Sequence, residues 1–316
     1  MIRSLVLAAG TFATVVLVRA GEAQQLTVLD PGHTRLITQE VSGDAAYEHI
    51  RHMTHFHRPR GGSDGLWRVA EYVRDQADAF GLRDVQLIRQ AASNPPWNAT
   101  FADLWIVEPE PERLASTLQT PLHLADYSRS ADVTAELVDV GVGAAEDIEG
   151  LDLSGKIALT HGSLFGVMQR AVCGAGALGV IWYPSPFSQE NGISGAGLAR
   201  PNQLRWLTLP SRGSDTCEPT FAFNLSTRQG VNLRNRLQAA EEPIVVHAVV
   251  DAAFESLQGT EPWMVMVEAF IHGTEPELGQ DIVLTGHLQE EGTSANDDAS
   301  GSASVLEIGR ALSRLI

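Results

Sequence analysis

The sequence predicts a layered α/β fold, and three observations point to it. Hydrophobic residues make up 44% of the 316 positions and charged ones 19%, a globular balance with chain enough for about two domains. Aromatic content is only 6% while glycine is plentiful at 29, which suits aliphatic layers joined by tight turns better than disorder. Strand-like and helix-like runs also alternate along much of the chain.

Taken in order, the first stretch has a basic Arg3, an apolar run from Leu5 to Val18, and small residues at Gly21 and Ala23. That layout reads as a signal peptide over 1–23: the apolar run is too short to span a bilayer and Arg19 interrupts it. A secreted or periplasmic protein with no membrane span is the expectation. Next, 64–82 places Leu66, Val69, Val73, Ala77 and Phe80 on one helical face, with Gly81 as the stop. The segment DVQLI follows as a strand, and Pro95, Pro96, Pro109 and Pro111 punctuate the region after it. VTAELVDVG, GKIALTHG and LGVIWYP read as strands, with VMQRAVCGAGA as a helix before the last of them.

Residues 244–254 and 263–271 are strand candidates. In DIVLTGH, Ile282, Val283 and Leu284 form a continuous apolar run, as in a strand covered on both faces. A polar loop then leads into a final helix with Val305, Ile308, Leu312 and Leu315 at spacings of three and four.

The formal charge of −17 repels phosphate backbones and anionic headgroups, and the chain has no Lys/Arg-rich run. Nucleic-acid binding is therefore excluded as a leading function. Two cysteines, Cys173 and Cys217, leave two readings open: one disulfide, which export would permit, or a buried free thiol in an apolar helix.

Several motifs carry candidate chemistry. Gly174, Gly176 and Gly179 match GxGxxG, but a helix precedes them and a strand follows, the reverse of a dinucleotide site, so a tight turn is the better reading. His52, His55 and His57 cluster without matching carboxylates or thiolates, and Pro59 marks a helix end there. No GxSxG elbow offers a serine nucleophile. The strongest constellation is GHLQEEGTSANDDASG, residues 286–301. His287 would sit at a strand end while Asp297 and Asp298 open the next helix, so an imidazole and a fixed carboxylate form half of a metal site. From spacing alone, a helix cap by Asp298 and Ser300 is an equal alternative.

At these residues the chain resembles the di-zinc aminopeptidase family, relatives of glutamate carboxypeptidase and the transferrin receptor, whose pattern is His-x-Asp at a strand end followed by Asp-Asp-Ala-Ser-Gly. The resemblance implies a mixed, mostly parallel sheet with flanking helices, and it makes His287 a zinc ligand and Asp297 the carboxylate bridging two zinc ions. Gln289 stands where the family has the Asp that orients the metal-bound His. An amide can accept the ring N–H but lacks the charge that raises ligand basicity. Through LVDVG, LDLSGKIALTHG and AGALGVIWYP, segment 131–243 resembles an inserted protease-associated domain. The expected organisation is a leader at 1–23, the first part of the peptidase domain at 24–130, the inserted domain at 131–243, and the peptidase domain resumed at 244–316.

The implied activity is hydrolysis of N-terminal peptide bonds in peptide or protein substrates by two co-catalytic zinc ions. The general-base Glu and remaining ligands of the family lie downstream of the motif, and Glu290, Glu291 and Glu307 are not in their positions. The expectation is thus an N-terminal fragment, inactive alone, with the apolar face of its last helix partly exposed. Two alternatives stand beside it: a receptor-like binding protein of the same fold, and a glutaminyl-cyclase-like acyltransferase with one zinc.

Overall fold

The computed structural model describes residues 30–59, 61–190, 193–254, 262–274, 279–290 and 294–315. The leader expected at 1–23 lies outside these residues, as does Glu291. Contacts divide the chain into two units at Glu40 and Val41. In the first, α1 (Pro31–Glu40) starts at Asp30, whose Oδ1 accepts the N–H groups of Gly32 and His33 at 2.7 and 3.1 Å. None of its residues is buried.

The second unit contains two layers of different make-up. In one, α2 (Gly43–Met53) and α3 (Asp64–Ala79) begin at Ser42 and Ser63, each hydroxyl accepting a first-turn N–H as an N-cap does. Gly81, with φ of +79°, ends the second helix where the sequence pattern places the stop. The chain then enters β1 (Arg83–Ala91). Leu66, Val69, Ala70 and Ala77 are the buried residues of α3; Leu66 and Ala70 face Val265 in a core with Leu87 and Trp263.

The other layer is a seven-stranded mixed sheet. It contains β2 (Trp97–Glu108), β3 (Glu112–Ser116), β4 (Ala131–Asp139), β5 (Ile157–Thr160) and β6 (Gly179–Trp182). Short pieces intervene: α4 (Ala145–Ile148), α5 (Leu164–Val167) with a π-helical turn to Gly174, β7 (Gln189–Glu190), β8 (Ile193–Ser194) and α6 (Ala196–Ala199). The sheet is completed by β9 (Ala222–Asn224) and, after α7 (Thr227–Ala239), by β10 (Val245–Phe254). The order is β3-β2-β10-β4-β5-β6-β9, antiparallel from β3 to β4 and parallel from β4 to β9. Every residue of β5, β6 and β9 is buried, as parallel strands covered on both faces require. The sheet therefore takes in strands on both sides of the 131–243 segment. Gly179 lies against the Phe221 ring where a side chain would clash, so the glycine triplet serves a turn and a packed strand.

Cys173 and Cys217 are joined in a disulfide, which resolves the alternative the sequence left open. After β10 the chain returns through β11 (Trp263–Phe270), antiparallel to β1, and ends in α8 (Gly301–Leu315), which packs on α2 and α3.

Two expectations need correcting here. Ile282, Val283 and Leu284 are 94%, 77% and 47% exposed and form no strand. A covered strand needs neighbours for its backbone and both faces, and among the described residues nothing pairs with 281–287. The buried face of α8 is also rotated from the apolar stripe: Ala303, Leu306 and Ala311 are buried with Glu307 and Arg310, while Ile308 and Leu315 are exposed. The Glu307–Arg310 ion pair lets charged residues occupy the inner face, and the exposure of Ile308 and Leu315 agrees with the partly exposed helix face that was expected.

Candidate metal centre

His287 is held from both of its main-chain groups by the start of the last helix. Its N–H donates to Asp298 Oδ2 at 2.8 Å, and its carbonyl accepts from Ser302 Oγ at 2.9 Å. Asp298 Oδ1 also accepts Gly301 N–H at 3.1 Å, so one carboxylate caps α8 and anchors His287. The capping alternative and the site reading are thus both partly right. Asp297 and Asp298 have non-helical backbone angles and precede the regular helix instead of opening it. Gly286 and Gly301 permit this close approach: a side chain on the first would strike Ser302 N, and one on the second the Asp298 carboxylate.

The imidazole is oriented by the backbone. His287 Nδ1 lies 2.9 Å from the Gln289 carbonyl oxygen. A carbonyl can only accept, so the proton sits on Nδ1 and the Nε2 lone pair is available as a donor to a metal. The sequence assigned that orienting role to the Gln289 side chain; the main chain performs it, because the loop turns back two residues after the ring.

Nε2 faces Asp297 Oδ1 at 3.0 Å, with the two side chains 40% and 71% exposed. Two electron-pair donors this close need a proton or a cation between them. Glu290 joins them: donor atoms of His287, Glu290 and Asp297 all lie within 4.8 Å of one another, the one such His/Cys/acid group among the described residues. A set of one imidazole nitrogen and two carboxylates suits zinc. Sequence reasoning left Glu290 out because it matches no family position, and no sequence signal marks it; a tertiary bridge puts it there.

That bridge is made by Arg58. Arg58 N–H donates to Glu290 O at 3.0 Å and Glu290 N–H to Arg58 O at 2.8 Å. The Arg58 side chain, 1% exposed, donates from Nε to Leu288 O at 2.8 Å, from Nη2 to Ser294 O at 3.3 Å, and from Nη1 to Met53 O.

The histidines of the 52–57 cluster do not converge into a donor group of this kind. His52 stacks on Tyr72 with ring centroids 3.8 Å apart, and His55 Nδ1 donates to Arg51 O at 2.6 Å. Behind the site, Glu307 accepts from Arg310 and from Ser42 N–H at 2.6 Å, and these bonds hold its carboxyl below the usual range. His49, 5% exposed, meets Tyr72 OH at 2.7 Å through Nδ1, and burial pulls its pKa down.

An α/β chain with flanking helices and a His/carboxylate donor set at a helix start defines the class of zinc-aminopeptidase-like folds. The fold matches two solved structures in particular. One is BSAP, a zinc aminopeptidase from Bacillus subtilis, at TM-score 0.55 and 19% identity, covering 85% of this chain and 57% of that one. The other is a Peptidase M28 precursor from Shewanella amazonensis SB2B, at TM-score 0.61 and 18% identity, covering 86% and 61%. The chain spans about three-fifths of the length of these structures. No family profile and no curated protein sequence matches it.

Proposed function

We propose that this protein is an exported zinc-dependent peptidase of the aminopeptidase type, and that these 316 residues are the amino-terminal part of a longer enzyme. The observation that carries the reading is the convergence of His287 Nε2 and Asp297 Oδ1 at 3.0 Å, on a fold shared with a zinc aminopeptidase. His287 supplies a neutral imidazole nitrogen in a fixed tautomer, and exposed Asp297 supplies a carboxylate with a second oxygen free for a second ion. When bound, a zinc pair polarises the peptide carbonyl and lowers the pKa of a water. The Glu that takes that water's proton belongs, on this reading, to sequence beyond Ile316.

Exposed Ile282 and Val283 and the outer apolar residues of α8 support the fragment part, since further elements would cover them. The sheet built around 131–243 has its own core, which supports reading it as a protease-associated module that positions substrate, a role given by analogy. Export draws support from the pattern of residues 1–23 and from the disulfide. No helix among the described residues is long and apolar enough to cross a membrane.

The test is to extend the chain to its natural stop codon and assay it on amino-acid anilides. Hydrolysis should vanish with a chelator, return with Zn²⁺, and fall at least 100-fold in His287→Ala. A zinc-loaded extended chain without hydrolysis would refute the peptidase and favour a binding protein; turnover by the 316 residues alone would refute the fragment.

A further inference from the structure

The residues that converge beside α8 include one with no assigned part in the zinc peptidase reading, and its position is the most firmly built of the three. We propose that Glu290 is a protein ligand of the cation held by His287 and Asp297, so that this chain carries a three-donor zinc site of its own. The inference rests on the zinc reading of the same site and adds a ligand to it.

Three observations converge. Glu290 offers a carboxylate oxygen within 4.8 Å of donor atoms of both His287 and Asp297. Ligand atoms on a tetrahedral zinc at about 2.0–2.2 Å sit about 3.5 Å apart, so side-chain rotation closes the remaining gap without moving the backbone. Second, the Glu290 main chain is fixed by the paired bonds to Arg58 at 3.0 and 2.8 Å. Third, the buried Arg58 guanidinium grips the carbonyls of Leu288 and Ser294, which lie before and after Glu290 in the chain. Arg58 fixes the distance between the segment carrying His287 and Glu290 and the one leading to Asp297. Nothing in this arrangement is needed for packing alone, because Glu290 itself is only half-buried.

The geometry also explains how a site lacking the family's orienting Asp can hold a metal. With the ring turned by a neutral carbonyl, the charge that would strengthen the imidazole as a ligand is absent. A second carboxylate contacting the ion directly offsets that loss. The remaining coordination position is open to water, as in catalytic zinc centres with three protein ligands.

The experiment is a calorimetric Zn²⁺ titration of the chain, with Co²⁺ absorption as a spectroscopic readout, on the parent protein and on Glu290→Gln, Glu290→Asp and His287→Ala. Losing a mere neighbour of a ligand costs about 10–100-fold in metal affinity, so Glu290→Gln should lose at least about tenfold. Its Co²⁺ spectrum should change in intensity, Glu290→Asp should recover part of the affinity, and His287→Ala should abolish binding. Circular dichroism checks that each variant is folded. Zinc affinity and Co²⁺ spectrum unchanged in Glu290→Gln but lost in His287→Ala would overturn the role of Glu290 and leave the zinc reading standing. Affinity sensitive to Glu290 in an extended chain that never hydrolyses peptides would keep the ligand and refute the peptidase. No Zn²⁺ uptake by the folded parent chain overturns the proposal outright.

Discussion

The ring nitrogen Nδ1 of His287 meets the main-chain oxygen of Gln289 at 2.9 Å, so the imidazole is steered by backbone that any residue at 289 would supply. Gln289→Ala should therefore leave zinc affinity within about threefold of the parent, well short of the 10–100-fold expected when an orienting side chain is lost. Titration of the two proteins side by side checks it. A tenfold loss would mean the amide, and not the carbonyl, holds the ring.

Asp298 does two jobs, accepting the N–H groups of His287 and Gly301. Asp298→Ala removes a helix cap and leaves both donors without that acceptor. A stability loss of about 1–2 kcal/mol in urea unfolding is expected, together with weaker zinc binding. Stability lost with zinc affinity intact would separate the cap from the site.

Gly301 begins α8, where alanine is normally better by about 1 kcal/mol. Here the added methyl would overlap the Asp298 carboxylate. Gly301→Ala is expected to destabilise the protein and weaken zinc binding despite its better helix propensity. A gain in melting temperature would show that Asp298 can move aside at no cost.

The disulfide closes a loop with a sequence separation of 44 between Cys173 and Cys217. Chain-entropy arguments give such a loop about 4 kcal/mol, with measured values commonly 2–4 kcal/mol. Reduction, or Cys173→Ala with Cys217→Ala, should lower the urea midpoint of the unit built on the seven-stranded sheet by a corresponding amount. Equal midpoints with and without reductant would contradict this.

Acid should weaken the fold in two stages. Burial lowers the pKa of His49, and of His123 and His161 in the larger sheet, below the ordinary 6.5. The unfolded chain then takes up protons first, so this stability is complete above about pH 6.5 and is lost as pH falls through the folded values. Protonated His49 would also leave a buried charged N–H, since its Nε2 has no hydrogen-bond partner among the described residues. Glu307 acts later: its bonds to Arg310 and Ser42 hold it below 4.5, so its contribution persists above that pH and disappears below it. Urea unfolding at pH 7.5, 5.5 and 4 should show stability falling at each step, and His49→Gln should flatten the first. A rise between pH 7.5 and 5.5 would contradict the assignment.

Local pattern alone determined much of this protein. The capped and glycine-stopped α3, the strands β1, β4 to β6, β10 and β11, and the pairing of His287 with Asp297 as a donor couple were all legible. Each depends on periodicity, turn chemistry or a short motif, which act over a few residues. Tertiary structure decided what depends on distant neighbours. Whether Ile282–Leu284 is a strand depends on partners beside it, and which face of α8 is buried depends on Glu307 finding Ser42 across 265 positions of chain. Glu290 reaches the donor set only through Arg58, 232 residues earlier, because a buried guanidinium must spend its N–H groups on whatever carbonyls surround it. A sequence records the arginine and the glutamate; only folding supplies the carbonyls that bring them together.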